Sequence, residues 1–328
     1  AIIYGVKLNK SQILSWGKFL IGWPLSFISL GFIVKLVIDK SSRISLDLGN
    51  INYLYLLISI AFFFIYYIFR SFLWQQTLKE KGFKIPFREN TYRFTFSEIK
   101  RYVPGNIWSF LSRGVLFSET GVDKKTLGIS LIADVQQVII GCGFVSLIAI
   151  PWLLNSPNEL KIKLVSLLPV SIIAIVIFFI ATSFIYTRKY LKPDSKSIVL
   201  HSSILWTNFF LPGFSLNSKI KLTILSIFTY FIFGVGNFFA LLSIYNIGFS
   251  DFLNLSSFFT FSLLVGYLSF ITPMGLGVRE GVVTLGLSKI MSLSNAATIS
   301  IFTRIVLIAS ELLFLIIVFI WEKAYRKI

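Results

Sequence analysis

The chain has 328 residues, of which 55% are hydrophobic and 14% charged, with a mean hydropathy of +0.81. Soluble domains carry about 25% charged residues, so this composition excludes a water-soluble fold for most of the chain. The formal net charge of +17 invites a nucleic-acid reading, and the placement of the charges decides against it.

A helix needs about 20 apolar residues to cross about 30 Å of hydrocarbon. Runs of that length occur, in order, at Ile13–Ile38, Ile51–Leu73, Thr126–Leu154, Leu164–Thr187, Leu222–Tyr245, Phe252–Thr272 and Ala296–Trp321. The first is too long for a cleaved signal peptide and lacks a small-residue cleavage site, so it reads as a retained helix. The start at Ala1 rather than at a methionine points to N-terminal processing or trimming. Val278–Met291 is apolar but too short to cross untilted, and reads as a half-helix or a strongly adapted eighth span. The expected fold is an all-α integral membrane protein: one polytopic domain over residues 1–328 with seven to eight transmembrane helices.

Basic residues cluster at Lys7, Lys10 and Lys18, in Arg70–Lys125, in Arg188–Lys221, and at Lys323, Arg326 and Lys327. The short loops Asp39–Asn50, Asn155–Lys163 and Asn246–Asp251 are nearly balanced. The positive-inside rule produces this alternation and predicts a multi-pass protein of the cell membrane with both termini and both long basic segments cytoplasmic. Juxtamembrane lysines and arginines also attract anionic lipid headgroups. Cytoplasmic termini require an even number of crossings, which favours eight; if Val278–Met291 re-enters instead, the basic tail lies outside.

Enzyme parts are scarce. Cys142 and His201 are single copies, so neither a disulfide framework nor a Cys/His metal site is expected. Asp39 and Asp47 stand too far apart for a metal-binding acidic pair, and no Walker loop, nucleophile elbow or His-Glu-x-x-His motif occurs. No catalytic residue, metal or cofactor is predicted.

Ionisable residues at membrane depth mark a pathway or a buried pair. The candidates are Asp134 with Gln136 and Gln137, Arg279 with Glu280, and Arg304 with Glu311. Asp134 and Gln137 share a helix face, as do Arg304 and Glu311 seven residues apart. Two segments add helix breaks: Glu98-Ile-Lys-Arg-Tyr-Val-Pro-Gly-Asn-Ile-Trp108, followed by Arg113, and Thr272-Pro-Met-Gly-Leu-Gly-Val-Arg-Glu-Gly281. Each has its proline and glycines (Pro104 and Gly105; Pro273, Gly275 and Gly277) ahead of a short helix and then a full span. Pro104 precedes Asp134 by thirty positions and Pro273 precedes Arg304 by thirty-one, which suggests an internal repeat with half-repeats 1–190 and 215–328. Such pairs serve as simple kinks or as broken helices whose free N–H groups and dipoles face an anion.

The run from Arg101 to Trp108 with Arg113, and the run from Pro273 to Gly281 followed by Arg304, resemble the two signatures of the lysylphosphatidylglycerol synthase transmembrane-region family, also known as flippase-like proteins. The resemblance spans nearly the whole chain; Met274 stands where that family more often has glycine. In its longer members this region is similar to a lipid flippase joined to a cytoplasmic domain that transfers an amino acid from tRNA to phosphatidylglycerol. Stand-alone members lie near glycan-assembly genes. With the sequence ending at Ile328, the resemblance implies the translocating part and not aminoacyl transfer.

The expected function is movement of an anionic phospholipid or a polyprenyl-linked glycolipid between leaflets. Arg101, Asn106, Trp108, Arg113, Arg279 and Arg304 are expected to contact the headgroup, with arginine forks on the phosphate. Glu98, Asp134, Gln137, Glu280 and Glu311 are expected to line the cavity and balance its charge. The bland alternatives make Trp108 an interfacial anchor, Arg101 a topology charge and Arg113 a surface residue. Competing readings are a membrane enzyme with Glu98 or Glu280 as general base on a polyprenyl phosphate, or a scaffold for lipid-linked glycan assembly enzymes. Membrane lipids are the expected partners, and nucleic acid is not. Gly141-Cys-Gly143 and Gly234-Val-Gly236 serve packing within one chain or between two, which leaves the oligomeric state open.

Overall fold

The structure, a computed structural model, describes residues 2–3, 6–7, 51–102, 108–154, 179–184, 209–269 and 275–325. The predicted span Ile13–Ile38, most of Leu164–Thr187, and Pro104, Gly105, Asn106 and Pro273 lie outside the described residues. Apart from a two-residue antiparallel ladder of β1 (Ile2–Ile3) and β2 (Val6–Lys7), the described regular structure is helical. In chain order it comprises α1 (Tyr53–Lys79), α2 (Phe87–Glu98), α3 (Trp108–Ser118), α4 (Lys124–Ser146), α5 (Leu216–Leu242), α6 (Phe252–Leu268), α7 (Val278–Leu287) and α8 (Leu293–Tyr325). A 3₁₀ turn at Leu147–Ala149 and a short helix at Ile150–Leu154 prolong α4.

Five of these elements, α1, α4 with its extension, α5, α6 with the turn before it, and α8, are long and apolar enough to cross a membrane. Each corresponds to a predicted span, with shifted ends. The helix α1 runs past Leu73 to Lys79 because its polar end is satisfied inside the bundle. There Thr77 donates to the Leu73 carbonyl at 2.9 Å, and Gln137 donates to Thr77 at 3.0 Å. By contrast, α6 stops at Leu268, before the predicted Thr272. At ten residues, or about 15 Å, α7 is half the thickness of the hydrocarbon. It is therefore the half-helix of the two predicted forms and not an eighth crossing on its own.

The caps follow from sequence. Asn52, Asp123 and Ser215 each accept a backbone N–H from the first turn that follows, at the starts of α1, α4 and α5. The cap holds the exposed Asp123 carboxyl below the usual carboxylate range, chiefly through the Thr126 backbone N–H. Gly277, at φ +83°, ends the break before α7, and its N–H donates at 2.7 Å to the Glu280 side chain in the first helical turn.

At the centre, α5 packs on α1, α4 and α6; α7 lies between α6 and α8, and α2 joins α3 to α8. In lipid there is no hydrophobic drive between helices, so close approach at small residues and interhelical hydrogen bonds take its place. A side chain at Gly141 would strike the Ser226 backbone and Tyr230 on α5. One at Gly234 would strike the Ser256 backbone on α6, and one at Gly236 would strike Phe63 on α1. These small-residue sites therefore serve packing within the chain; only Gly143 faces open space. Ser59 donates to the Gly236 carbonyl at 2.7 Å and Tyr67 to the Leu307 carbonyl at 3.2 Å, tying α1 to α5 and α8.

The C-terminus of α1 and the N-terminus of α5 meet through the Lys221–Glu80 pair at 2.9 Å, and Arg88 near the start of α2 pairs with Glu322 near the end of α8. One face of the bundle thus gathers Lys79, Lys81, Lys219, Lys221 and Lys323, as the clustering of charge in the sequence requires. The opposite face, where Asn52 donates to the Ser243 carbonyl, is charge-poor.

Gly275 sits at φ +63°, and a Cβ there would lie 2.5 Å from the Cα and O of Gly266 on α6. Gly275→Ala combines backbone strain with overpacking, and about 2–4 kcal/mol of destabilisation is expected. Thermal unfolding in detergent should show a lowered midpoint for this variant and an unchanged one for Gly143→Ala.

Candidate functional site

Charge in the bundle interior is concentrated in two clusters. The first is built from Arg70 on α1, Glu98 at the end of α2, Arg101 in the 3₁₀ turn Ile99–Tyr102, Arg113 on α3, Asp134 on α4 and Glu311 on α8. Asp134 accepts from Arg70 at 3.0 Å through one oxygen and from Arg113 at 2.6 Å through the other. Glu98 is bound by Arg113 and, at 3.1 Å, by Arg101; Arg101 also donates to Glu311 at 2.6 Å. Three guanidinium groups meet three carboxylates, so the cluster is neutral. Arg113, Asp134 and Glu311 are buried.

This depth is costly. Arg70 lies nine residues from the end of α1, about 14 Å along the axis, inside the hydrocarbon thickness. Such a charge persists only when paired and hydrogen-bonded. Aromatic faces add to the compensation: the Arg70 guanidinium lies 5.8 Å from the Tyr230 ring centroid, and that of Arg113 lies 4.3 Å from Phe94 and 5.0 Å from Trp74.

The second cluster follows the break at Gly275–Gly277. Arg279 donates to Asn237 on α5 at 2.9 Å, with its guanidinium 5.1 Å from the Phe233 ring. Arg304 on α8 faces Glu280 at 3.4 Å. One oxygen of Glu280 caps α7, and the backbone carbonyl of Glu280 accepts from Ser300 at 3.0 Å, which fixes α7 against α8. Two arginines stand against one carboxylate, leaving one positive charge over. Nε and Nη2 of Arg304 are buried without a hydrogen-bond partner, as is Oε1 of Glu280. Between the clusters stands an aromatic wall in which Tyr66 contacts both Tyr230 and Phe233.

The predicted site residues divide accordingly. Arg101, Arg113, Glu98, Asp134 and Glu311 come together in the neutral cluster, where carboxylates already occupy the forks of Arg101 and Arg113. Arg279, Glu280 and Arg304 come together in the second. Arg304 and Glu311 share a helix but pair with different elements. Gln137 bonds Thr77 and stands apart from both clusters. Gln136 accepts from the Leu211 N–H at 2.7 Å and so holds the turn ahead of α5. Trp108 is 46% exposed at the start of α3. Gly275 and Gly277 have positive φ, as a break requires.

Two participants were not foreseen. Arg70 was grouped with the basic segment Arg70–Lys125 and is instead buried and bound to Asp134, because the helix carries it below the surface before ending at Lys79. Its position inside the apolar run Ile51–Leu73 was the available signal. Asn237 also lies within a predicted span; nothing in its neighbourhood distinguishes it from a packing residue until Arg279 is placed against it.

The family described as Lysylphosphatidylglycerol synthase TM region matches residues 19–314. No curated protein and no solved structure gives a significant match.

Removing one partner of a buried pair leaves the other uncompensated, at about 3–5 kcal/mol. Asp134→Asn, which strands Arg70 and Arg113 together, should lose about that much in reversible denaturant unfolding. Trp108→Phe, at an exposed position, should lose less than about 0.5 kcal/mol.

Proposed function

The chain belongs to the lysylphosphatidylglycerol synthase transmembrane-region family, and from that premise we propose that it carries a lipid with an anionic headgroup between leaflets. It is a multi-pass membrane protein of a family tied to lipid modification or translocation. The finer reading rests on one observation: the second cluster holds a surplus positive charge, and Arg304 presents two buried donors with no partner. An unsatisfied buried donor costs about 1–3 kcal/mol, more when charged. A phosphate oxygen entering between Arg279 and Arg304 would recover that cost and neutralise the surplus.

The carboxylate of Glu280 stands close enough to Arg304 to compete for it. It would hold the cation while the site is empty and retake it when the headgroup leaves. The first cluster is already neutral and serves as the framework against which the break and α7 are held. Phospholipid and polyprenyl-linked glycolipid share the phosphate, so both belong to the proposed substrate class. The protein would act without bond-making chemistry of its own. By the positive-inside rule its lysine-rich face is placed on the cytoplasmic side of the plasma membrane.

The test is transbilayer movement of fluorescent phosphatidylglycerol, phosphatidylcholine and a polyprenyl phosphate in proteoliposomes. Arg304→Gln should slow the anionic lipids at least tenfold. Glu280→Gln with Arg304→Gln removes both charges of the pair, so it should remain folded by thermal unfolding and still be slow. Anionic-lipid rates equal to the unsubstituted chain in that folded double variant would overturn the reading.

A further inference from the structure

A second polar feature lies outside both interior clusters, where the end of α1 meets the start of α5. The Lys81 ammonium donates to the Gly213 carbonyl and stands 3.9 Å from the Phe214 ring centroid. Both partners belong to the turn just before α5. Lys125, at the start of α4, and Lys219, in the first turn of α5, are close enough to repel it. Burial and these two lysines pull Lys81 down to about 8. On the other side of the same junction, Glu80 accepts from Ser218 at 2.5 Å and from Lys221 at 2.9 Å, and it also feels Lys79. These contacts hold its carboxyl below the usual range, the Ser218 hydroxyl first.

The junction therefore carries Lys79, Lys81, Lys125, Lys219 and Lys221 against Glu80 and the capping Asp123. Five positive charges against two negative ones leave three over. A half-buried ammonium crowded by like charges is costly, and the nearby carboxylates are engaged by Ser218 and Lys221 or by the α4 cap. An anion is the missing complement.

An apolar groove of about 590 Å³ leads away from this junction. It runs along the outer side of α1 and α5, lined by Phe72, Ile220, Ile224 and Phe228, with Lys221 at its basic end. Ile220, Ile224 and Phe228 are each at least half exposed. In a spanning helix that means exposure to acyl chains. A ligand complementary to both parts carries negative charge at one end and hydrocarbon at the other.

We propose that this junction is a binding site for an anionic phospholipid, with its phosphodiester held by Lys81 and Lys219 and one acyl chain laid in the groove beside Ile224. The site lies on the outer wall of the bundle and is independent of the interior arginines. Its occupant would brace the α1–α5 junction at the basic membrane face.

The probe is dioleoyl phosphatidylglycerol, titrated onto the detergent-purified full chain, with the first bound lipid counted by native mass spectrometry. Each lysine near an anionic surface contributes about a fivefold change in affinity. Lys81→Gln with Lys219→Gln should therefore weaken the first lipid roughly 25-fold. The same loss is expected in the Glu280→Gln, Arg304→Gln background, which separates this site from the proposed transport site. Ile224→Trp, which fills the groove, should weaken phosphatidylglycerol while leaving the lysines in place.

Lys84→Gln with Lys323→Gln removes the same charge from exposed positions on this face and should change the affinity less than twofold. An equal loss in that control would show a diffuse potential and overturn the site. So would an unchanged affinity in the Lys81, Lys219 variant. Inorganic phosphate competing at equal concentration with the lipid would show a free-anion site and overturn the role of the groove.

Discussion

Charge cannot be left alone in hydrocarbon, and much of this structure follows from that constraint. Asp134 is the pivot. Its two oxygens bind two arginines from different helices, and those arginines reach onward, through Glu98 and Arg101, to Glu311 on α8. Five elements and the 3₁₀ turn between them are joined by a single neutral network, in a solvent that offers no competing hydration. In water such a network contributes little to stability because each ion gives up its hydration to form it. In a bilayer the unpaired alternative is far worse, so pairing selects the arrangement of helices as well as stabilising it.

The contrast between the two clusters carries the functional argument. The first is closed in the chemical sense: equal numbers of cations and carboxylates, short contacts, and aromatic faces over the guanidinium groups. The second has the same residue types and lacks that balance. Glu280 is divided between capping α7 and facing Arg304, so Arg304 keeps donors that nothing satisfies. The tight contact of Gly275 with Gly266 and the short, polar-ended α7 hold this imbalance in place. An interior built this way has a reason to accept an anion at one place and to refuse it at the other.

The surface repeats the logic at lower depth. Lysines gathered at one face give the bundle its orientation signal, and Lys81 shows that this charge is not all freely solvated. Packing the end of α1 against the turn before α5 brings three lysines together at the mouth of an apolar groove. Topology charge and ligand-binding charge are then the same residues seen on two scales.

Several features were legible in the sequence because they depend only on local chemistry. Apolar run length required membrane helices, and proline with glycine beside short apolar segments required breaks. The capping residues Asn52, Asp123 and Ser215 stand at their helix starts, and each interior acid and arginine was conspicuous against its apolar neighbours. The two signature runs sufficed to identify the family. Partnership was not legible, because helix packing joins residues far apart in the chain: Arg101 meets Glu311 and Arg70 meets Asp134. Arg70 looked like a loop charge until the length of α1 placed it beneath the surface, and Arg113 looked equally like a surface residue until α3 turned it toward Asp134. The sequence by itself determined that charges must be buried and compensated in this membrane protein. Only the tertiary structure decided which carboxylate answers which arginine and which arginine is left with donors to spare, because that balance depends on distances of a few ångströms between helices.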